Sequence, residues 1–397
     1  MRTGRYVTQG RNGYRAFIPA PLPPDPPVRM DAEMTRLLSD ADRALGRLDG
    51  VATVLPNPDL FVSMYVRHEA VLSSQIEGTQ STLEDVLEFE AEGKVPDRPK
   101  DVEEVVNYVR AMNQGLGRLA SLPLSLRLIR EIHAELLKGV RGAHRDPGKF
   151  RRSQNWIGPA GCTLKDAEYI PPPPPEMKTA LHDLESFLHD RESLPVLVQC
   201  GLAHAQFETI HPFLDGNGRV GRLLITFLLC ERNILHRPLL YLSYYLKAHR
   251  ARYYDLLTAI RNDGDWEGWL KFFLRGVCEI SLAATDTARE ILALRERHRQ
   301  MLAGDAKALT LIDFLCQSPV LSVQMAQKHL GCSYVTANNL IWRFEKAGIL
   351  REFTGQPRNR RFRYDPYLAL FDRQAPPYLS PEEQGETKTT LSRGHKA

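Results

Sequence analysis

The sequence predicts a mainly α-helical chain with a short β-hairpin flap in its main unit and a winged helix-turn-helix at its C-terminal end. Three observations predict it. From about Met30 to Leu282, apolar residues recur at threes and fours, the helical period. Between Phe150 and Met177 that period fails, and RRSQNWIGPAGCTLKDAEYIPPPPPEM reads as a long loop with an extended Thr163–Ile170 segment and room for a hairpin. From about residue 305 to 371, three short helical patterns precede two strand patterns.

Residues 1–29 form an extended, Pro-rich arm, since IPAPLPPDPP (Ile18 to Pro27) cannot be helical. The main unit spans 30–283. One of its helices covers about 58–78: Asn57 and Pro58 signal its start, Phe61, Met64, Tyr65, Leu72 and Ile76 make a buried stripe, and Gly78 stops it. The next helix opens on Ser81 and Glu84, spaced as a capping box. Pro171 to Pro175 predict a polyproline II rod that stiffens the loop before the following helix, the alternative being an SH3-type ligand. A charged helix, AREILALRERHRQMLAG, supplies a connector over 284–306.

The smaller unit, 307–371, has a first helix with Leu309, Ile312, Phe314 and Leu315, and a second from Ser322 to Leu330. After a Gly331–Cys332 turn, Ser333 caps a third, which turns Ala337, Leu340, Ile341 and Phe344 inward and ends at Gly348. ILREFTGQPRNRRFRY then reads as two strands around a Thr354–Gly355 turn. The tail, 372–397, is rich in Pro, Glu, Thr, Ser and Lys and is expected to be disordered.

Composition narrows the function classes. The 397 residues are 43% hydrophobic and 25% charged, with a formal net charge of +4, an ordinary soluble balance. The start, MRTGRYVTQG, lacks the apolar core of a secretory signal, and the apolar run Leu223 to Cys230 is broken by Glu231 and Arg232. A cytoplasmic protein without a membrane partner is expected. Six scattered cysteines contain no CxxC pair, so reduced thiols are expected and a structural metal is not.

Residues 211–222 carry the chemistry: His-Pro-Phe-Leu-Asp-Gly-Asn-Gly-Arg-Val-Gly-Arg. Val220, Leu223, Leu224, Phe227 and Leu228 recur at helical spacing, so a short loop delivers Gly216, Asn217 and Gly218 to a helix N-terminus. Unpaired N–H groups and the positive dipole end make an anion site there, and glycine lets a phosphate approach the backbone. Arg219 and Arg222, three apart, can clamp further phosphate oxygens from one face. Asp215 can hold a magnesium ion that bridges those phosphates, and His211 is poised as a general base near neutral pH.

This stretch resembles the signature HPFx(D/E)GNGRxxR of the Fic (filamentation induced by cAMP) family, matching at every fixed position. The resemblance implies a Fic helical core that transfers AMP from ATP to a protein Ser, Thr or Tyr hydroxyl, releasing pyrophosphate. His211 would deprotonate the hydroxyl, and Asp215 would ligate Mg2+ between the α- and β-phosphates. Asn217 with the Gly216 and Gly218 amides would hold the α-phosphate, Arg219 the pyrophosphate side and Arg222 the γ-phosphate. Val220 and Gly221 complete the ATP-binding segment.

Outside the motif, Arg151–Ile157 and Tyr169–Pro175 look like the family's flap, whose edge pairs with a target segment as an added strand. Tyr253 and Tyr254 look like the pair beside the adenine, although aromatic residues on helices are more often core. Ser73-Ser74-Gln75-Ile76-Glu77-Gly78 resembles the inhibitory motif (S/T)xxxE(G/N), placed upstream of the catalytic motif. It implies that Glu77 meets Arg222 and keeps the γ-phosphate from its seat, with Ser73 bonding the Asn217 region. The resemblance spans roughly residues 10 to 370.

On the third helix of the smaller unit, Tyr334, Thr336, Asn338, Asn339 and Arg343 face outward, and the wing carries Arg358, Arg360, Arg361 and Arg363. That pattern suits DNA, and equally a protein partner. The alternatives to AMP transfer are transfer of another phosphate-linked group, and a DNA-binding regulator with a nucleotide-sensing core. The oligomeric state stays open, with a homodimer among the alternatives.

Overall fold

A computed structural model describes residues 2–10, 13–53, 58–92, 101–159 and 161–371. Asn57, proposed as part of a helix start, and the tail 372–397 lie outside them. Among the described residues no helix is long and apolar enough to cross a membrane, and the six cysteines are unpaired.

The N-terminal arm is not simply extended. Strands β1 (Gly4–Gln9) and β2 (Tyr14–Pro19) pair antiparallel, with Gly4 opposite Pro19 and Gln9 opposite Tyr14. The helices of the main unit follow: α1 (Ala32–Thr53), α2 (Asp59–Ile76), α3 (Leu83–Glu92), α4 (Val102–Leu119) and α5 (Leu126–Leu136). After the long loop come α6 (Pro174–His189), α7 (Val196–Ile210), α8 (Asn217–Glu231), α9 (Ser243–Ala248), α10 (Arg250–Asp263) and α11 (Trp266–Met301).

Helix α7 forms the axis of this unit. Every residue from Leu197 to Ile210 is buried, so it is surrounded on all sides, as its lack of a polar face requires. Its Gly201 lets α11 come close: a Cβ there would meet Leu270 at 2.8 Å, and the Gly201 carbonyl accepts from Trp269 Nε1 at 2.9 Å. Helix α8 is likewise buried from Asn217 to Leu229 except at Gly218, where a one-sided stripe was expected. Helix α7 covers one side of it, and α4 and α5 cover the other.

The smaller unit comprises α12 (Ala306–Gln317), β3 (Val320–Ser322), α13 (Val323–Leu330), α14 (Tyr334–Lys346), β4 (Arg351–Glu352), β5 (Arg361–Arg363) and α15 (Asp365–Leu368). Its antiparallel sheet has the order β3-β5-β4. Ser333 caps α14 as expected, and Ser322, read as the first residue of a helix, caps α13; each accepts from the backbone N–H three residues on. The unit rests on α2: Tyr65 packs edge-on against Phe371, and Arg363 bonds Glu84 of α3 at 2.7 Å.

Several local expectations need correction. The capping box of α3 lies one residue later, where Thr82 Oγ1 and Asp85 exchange bonds while Ser81 is drawn away to Asp101 at 2.6 Å. Pro174 and Pro175 begin α6 instead of extending the rod, because a first turn needs no N–H from them; Pro171 to Pro173 are buried and present no free ligand. The connector 284–306 is no separate helix, since α11 runs unbroken for 36 residues and buries Ala284, Ala288, Ile291 and Leu294. The last two strands are joined across residues 353–360, not by a tight Thr354–Gly355 turn, and the third strand, β3, had no periodicity to reveal it.

Candidate active site

The site is built where α7 stops and α8 starts. Helix α7 ends on His211 in the left-handed region, at φ 49° and ψ 61°, an unfavourable place for a side chain of this size. Its carbonyl explains how it stays there: that oxygen accepts from Arg151 Nε at 3.0 Å and from Asn155 Nδ2 at 3.2 Å. Arg151 is itself buried, with no carboxylate bonded to it. It donates to four carbonyls, those of His211, Ile210 (3.4 Å), Pro172 (2.5 Å) and Ser153 (3.3 Å). It thereby ties the flap to the end of α7. The His211 imidazole is held neutral: burial, with the Arg151 charge added to it, lowers its pKa to about 4.

The loop between the helices is closed from within. Asn217 Oδ1 accepts from Phe213 N at 2.8 Å and its Nδ2 donates to Phe213 O at 2.8 Å. The Asn217 side chain is therefore spent on the loop, leaving backbone N–H groups for an anion. His133 of α5 pins the next residue. Its ring stacks on Phe213 at 3.7 Å and 6°. Nδ1 accepts from Gly148 N at 2.9 Å, which sets the tautomer, so Nε2–H donates to Asp215 O at 2.9 Å. Gly216 then caps α8 at φ 78°.

The end of α2 meets this loop. Helix α2 ends at Ile76, Glu77 is its C-cap, and Gly78 reverses the chain at φ 96°. Arg222, buried in α8, donates through Nε to Ser73 Oγ at 2.8 Å, and through Nη2 to Ser73 O at 3.0 Å and Glu77 Oε1 at 2.6 Å. Ser73 thus holds Arg222, not the Asn217 region, whose groups are already paired. Glu77 Oε1 also lies on Gly218, since a Cβ built there would sit 2.1 Å from it. The carboxylate occupies the N-terminal turn of α8, where an anion is favoured. Desolvation opposes its ionisation, but the Arg222 guanidinium, with Arg219 behind it, outweighs that and keeps Glu77 below the usual carboxylate range.

The two arginines expected to reach out from one face turn to different helices. Arg219 is buried against Glu104 of α4 at 3.0 Å and lies 3.6 Å from Asp215. Asp215 keeps partial exposure, and Gly142 makes room for it: a Cβ there would meet Oδ2 at 2.8 Å. Among the described residues no three His, Cys, Asp or Glu side chains gather to hold a metal. A lone carboxylate suits Mg2+ only as one ligand beside substrate phosphates and water.

Tyr253 and Tyr254 separate. Tyr253 is core, with its hydroxyl 2.9 Å from His204 Nε2; Tyr254 is 42% exposed and lies near Arg250. Among the described residues of the flap, Ile157 and Tyr169 form an isolated bridge, exchanging bonds of 2.8 and 3.1 Å. Phe17 N of the N-terminal hairpin donates to Ile170 O at 2.9 Å, covering that side, while Trp156 and Ile157 stay exposed. Arg151 and Asn155 were read from sequence only as part of the flap segment, and His133 and Glu104 were not singled out. A histidine on an apolar helix face and a glutamate in a first turn both have ordinary structural uses.

Residues 35–117 match the Fic/DOC family N-terminal model, and residues 123–229 match the Fic/DOC family model. The chain carries Fic/DOC family domains. Curated relatives include the protein adenylyltransferase Fic of Aedes aegypti, 34% identical over 38% of this chain and 27% of that protein. That of Drosophila grimshawi is 30% identical over 50% and 38%, and a probable protein adenylyltransferase of Aquifex aeolicus is 30% identical over 44% and 51%. The chain thus spans about a quarter to a half of these relatives. A Fic family protein from Desulfovibrio desulfuricans G20 shares the fold, with a TM-score of 0.55 at 20% identity over 85% of this chain and 97% of that one. A Fic domain containing signaling protein from Bacteroides thetaiotaomicron, TM-score 0.50 and 18% identical, covers 65% of this chain and 97% of its own.

Proposed function

We propose that the protein is a protein adenylyltransferase that moves AMP from ATP to a Ser, Thr or Tyr hydroxyl of target proteins, itself included, and that Glu77 restrains it. The observation that carries this reading is the seat of the Glu77 carboxylate, on Arg222 and on Gly218 at the start of α8. One anion already occupies a place suited to a phosphate. The adenylyltransferase names of the Fic relatives support the choice of reaction.

In the transfer, the target hydroxyl oxygen bonds to the α-phosphorus, the bond to the β-phosphate oxygen breaks, and pyrophosphate leaves. The proton goes to His211, whose imidazole is neutral and can accept it. Backbone N–H groups of Gly216 to Gly218 take charge on the α-phosphate, and Arg219 and Arg222 face the β- and γ-phosphates. Asp215 would hold Mg2+, which neutralises phosphate charge when bound. A target segment pairs along the flap beside Trp156 and Ile157. With Glu77 on Arg222, the γ-phosphate is refused and the α-phosphate turns out of line.

Glu77→Gly should raise self-modification from α-labelled ATP roughly 5- to 150-fold, the range of a coupling of about 1–3 kcal/mol. Adding His211→Ala should abolish that gain, lowering transfer by about 10² to 10⁴. Unchanged labelling by Glu77→Gly at saturating magnesium would refute the brake. Labelling that survives His211→Ala would refute the base.

A second reading concerns residues 307–371, taken as a winged helix-turn-helix with 353–360 as its wing. A groove of about 750 Å³ between α13, α14 and that loop is lined by Tyr334, Arg358, Arg360 and Arg361, and favours contact with a DNA backbone. Retardation of a duplex at low salt is the expected result; none at any salt would favour a protein partner.

A further inference from the structure

Arg141 stands in the turn after α5 and takes no part in the transfer just described. Its place is set by the loop that carries it, residues 138–149, which is fixed at both ends. At the start, Asn107 of α4 donates through Nδ2 to Lys138 O at 2.8 Å. At the end, Gly148 N donates to His133 Nδ1 at 2.9 Å, and Arg130 Nε donates to Gly148 O at 2.8 Å. Between these points the chain turns at Gly142, with φ 90°, a conformation that favours glycine.

The turn sets two consecutive residues on two carboxylates. Arg141 Nε lies 3.5 Å from Glu104 Oε1, and Gly142 packs against Asp215, whose Oδ2 would be 2.8 Å from a Cβ there. Glu104 and Asp215 are the acids that bracket Arg219, at 3.0 and 3.6 Å. One buried carboxylate, that of Glu104, therefore meets two guanidiniums and holds them unequally. Arg219 is buried and has the hydrogen bond; the Arg141 side chain is 62% exposed and has only the longer ion pair. A solvent-exposed pair of this kind is weak, so its cation changes partner at little cost. The Asp215 side chain is 34% exposed, so the site is open to solvent beside Gly142.

We propose that Arg141 leaves Glu104 for the terminal phosphates of bound ATP and forms, with Arg219, the seat of the departing pyrophosphate. The inference rests on the reading of the site as one for ATP, in which Arg219 faces those phosphates. A guanidinium meets a phosphate through two parallel N–H bonds, a stronger contact than the ion pair it gives up. As the target hydroxyl oxygen bonds to the α-phosphorus, the electron pair of the breaking bond stays on the β-phosphate oxygen. Arg141 and Arg219 share that charge, while the hydroxyl proton goes to His211. Glu104 stays with Arg219 and keeps it in place. Being exposed, Arg141 acts on affinity and adds little to the stability of the fold.

The test is a calorimetric titration of the full chain carrying Glu77→Gly, in which Arg222 is no longer held by Glu77, with ATP, ADP and AMP. Arg141→Ala in that background should weaken ATP about 10-fold, between the worth of an exposed ion pair and that of a buried charged hydrogen bond. AMP, which lacks the phosphates in question, should keep its affinity within about twofold. Pyrophosphate should inhibit self-labelling less well, its inhibition constant rising by a similar factor. Arg141→Lys, which keeps the charge without the fork, should recover part of the loss. Arg145→Ala, on the same loop, should leave ATP affinity unchanged; an equal loss there would assign the effect to the general field of the loop and overturn the proposal. A merely structural Arg141 would lower the melting temperature and weaken all three nucleotides alike. ATP affinity unmoved by Arg141→Ala, or AMP weakened as much as ATP, overturns the proposal and leaves AMP transfer standing. Failure of ATP to bind the Glu77→Gly chain with Arg141 intact overturns the ATP reading and this inference together.

Discussion

The arginines around the start of α8 and those of the 353–360 loop solve opposite problems. Arg151, Arg219 and Arg222 are buried, so each must be met by fixed acceptors: four carbonyls for Arg151, Glu104 for Arg219, Ser73 and Glu77 for Arg222. On that loop, Arg358 is exposed and Arg360 leans on Asn338 and Phe362. Arg363, expected in the same basic surface, is instead drawn to Glu84 and Asp365 and joins the two units. A buried guanidinium dictates its neighbours, because leaving it unpaired is costly; an exposed one contributes a screened field. The comparison teaches where a switch can be built. Only a buried cation whose partner can be exchanged for a substrate anion couples binding to conformation, and Arg222 fits that description better than Arg151.

The largest effect that could break this contrast is on stability. Arg151→Met takes a donor from four carbonyls, leaving that of His211 with Asn155 alone, and loosens the left-handed conformation of His211. It should cost about 3 kcal/mol, read from the denaturant midpoint. A loss below about 0.5 kcal/mol would show that burial imposes no such demand.

A smaller effect concerns pH. His68, His133, His204 and His211 are all lowered to about 4, chiefly by burial. A depressed folded pKa means that the unfolded chain binds protons first, so stability is lost as pH falls from 6.5 through about 4. Glu69 and Glu208, raised to about 7 by burial, act in the opposite sense, removing stability as pH rises from 4.5 through about 7. Four groups outweigh two. The melting temperature should rise between pH 4 and 6.5, and His133→Phe, which keeps the stack on Phe213, should make the rise shallower. A melting temperature flat across that range would contradict the burial of these rings.

The smallest effect belongs to the 353–360 loop. Arg358→Ala should change stability by no more than about 0.5 kcal/mol. If this loop meets DNA, the same change should reduce the slope of log affinity against log salt by about 0.9. A stability loss comparable to that of Arg151→Met would erase the distinction between the two sets.

The parts of the site that were legible in the sequence are those made by neighbours in the chain. The turn from His211 to Gly218 and the end of α2 at Gly78 depend on glycines at φ 78° and 96° and on helix termini, all encoded within a few residues. The stripe Phe61, Met64, Tyr65, Leu72 and Ile76 is buried as its spacing required. The capping box of α3 was misplaced by one residue because Ser81 and Thr82 are equivalent locally, and only distant Asp101 separates their roles.

The sequence by itself therefore determined the helical periodicity of this chain, the loop that opens α8, and the presence of a carboxylate at the end of an upstream helix. Tertiary structure alone decided what each polar group meets. Glu104 reaches Arg219 across 115 residues and Ser73 reaches Arg222 across 149, while Tyr253 sinks into the core and Tyr254 stays out. The physical reason lies in the range of the forces. Backbone conformation and capping act over one turn and leave a local imprint, whereas the pairing of buried charges depends on which helices exclude water together.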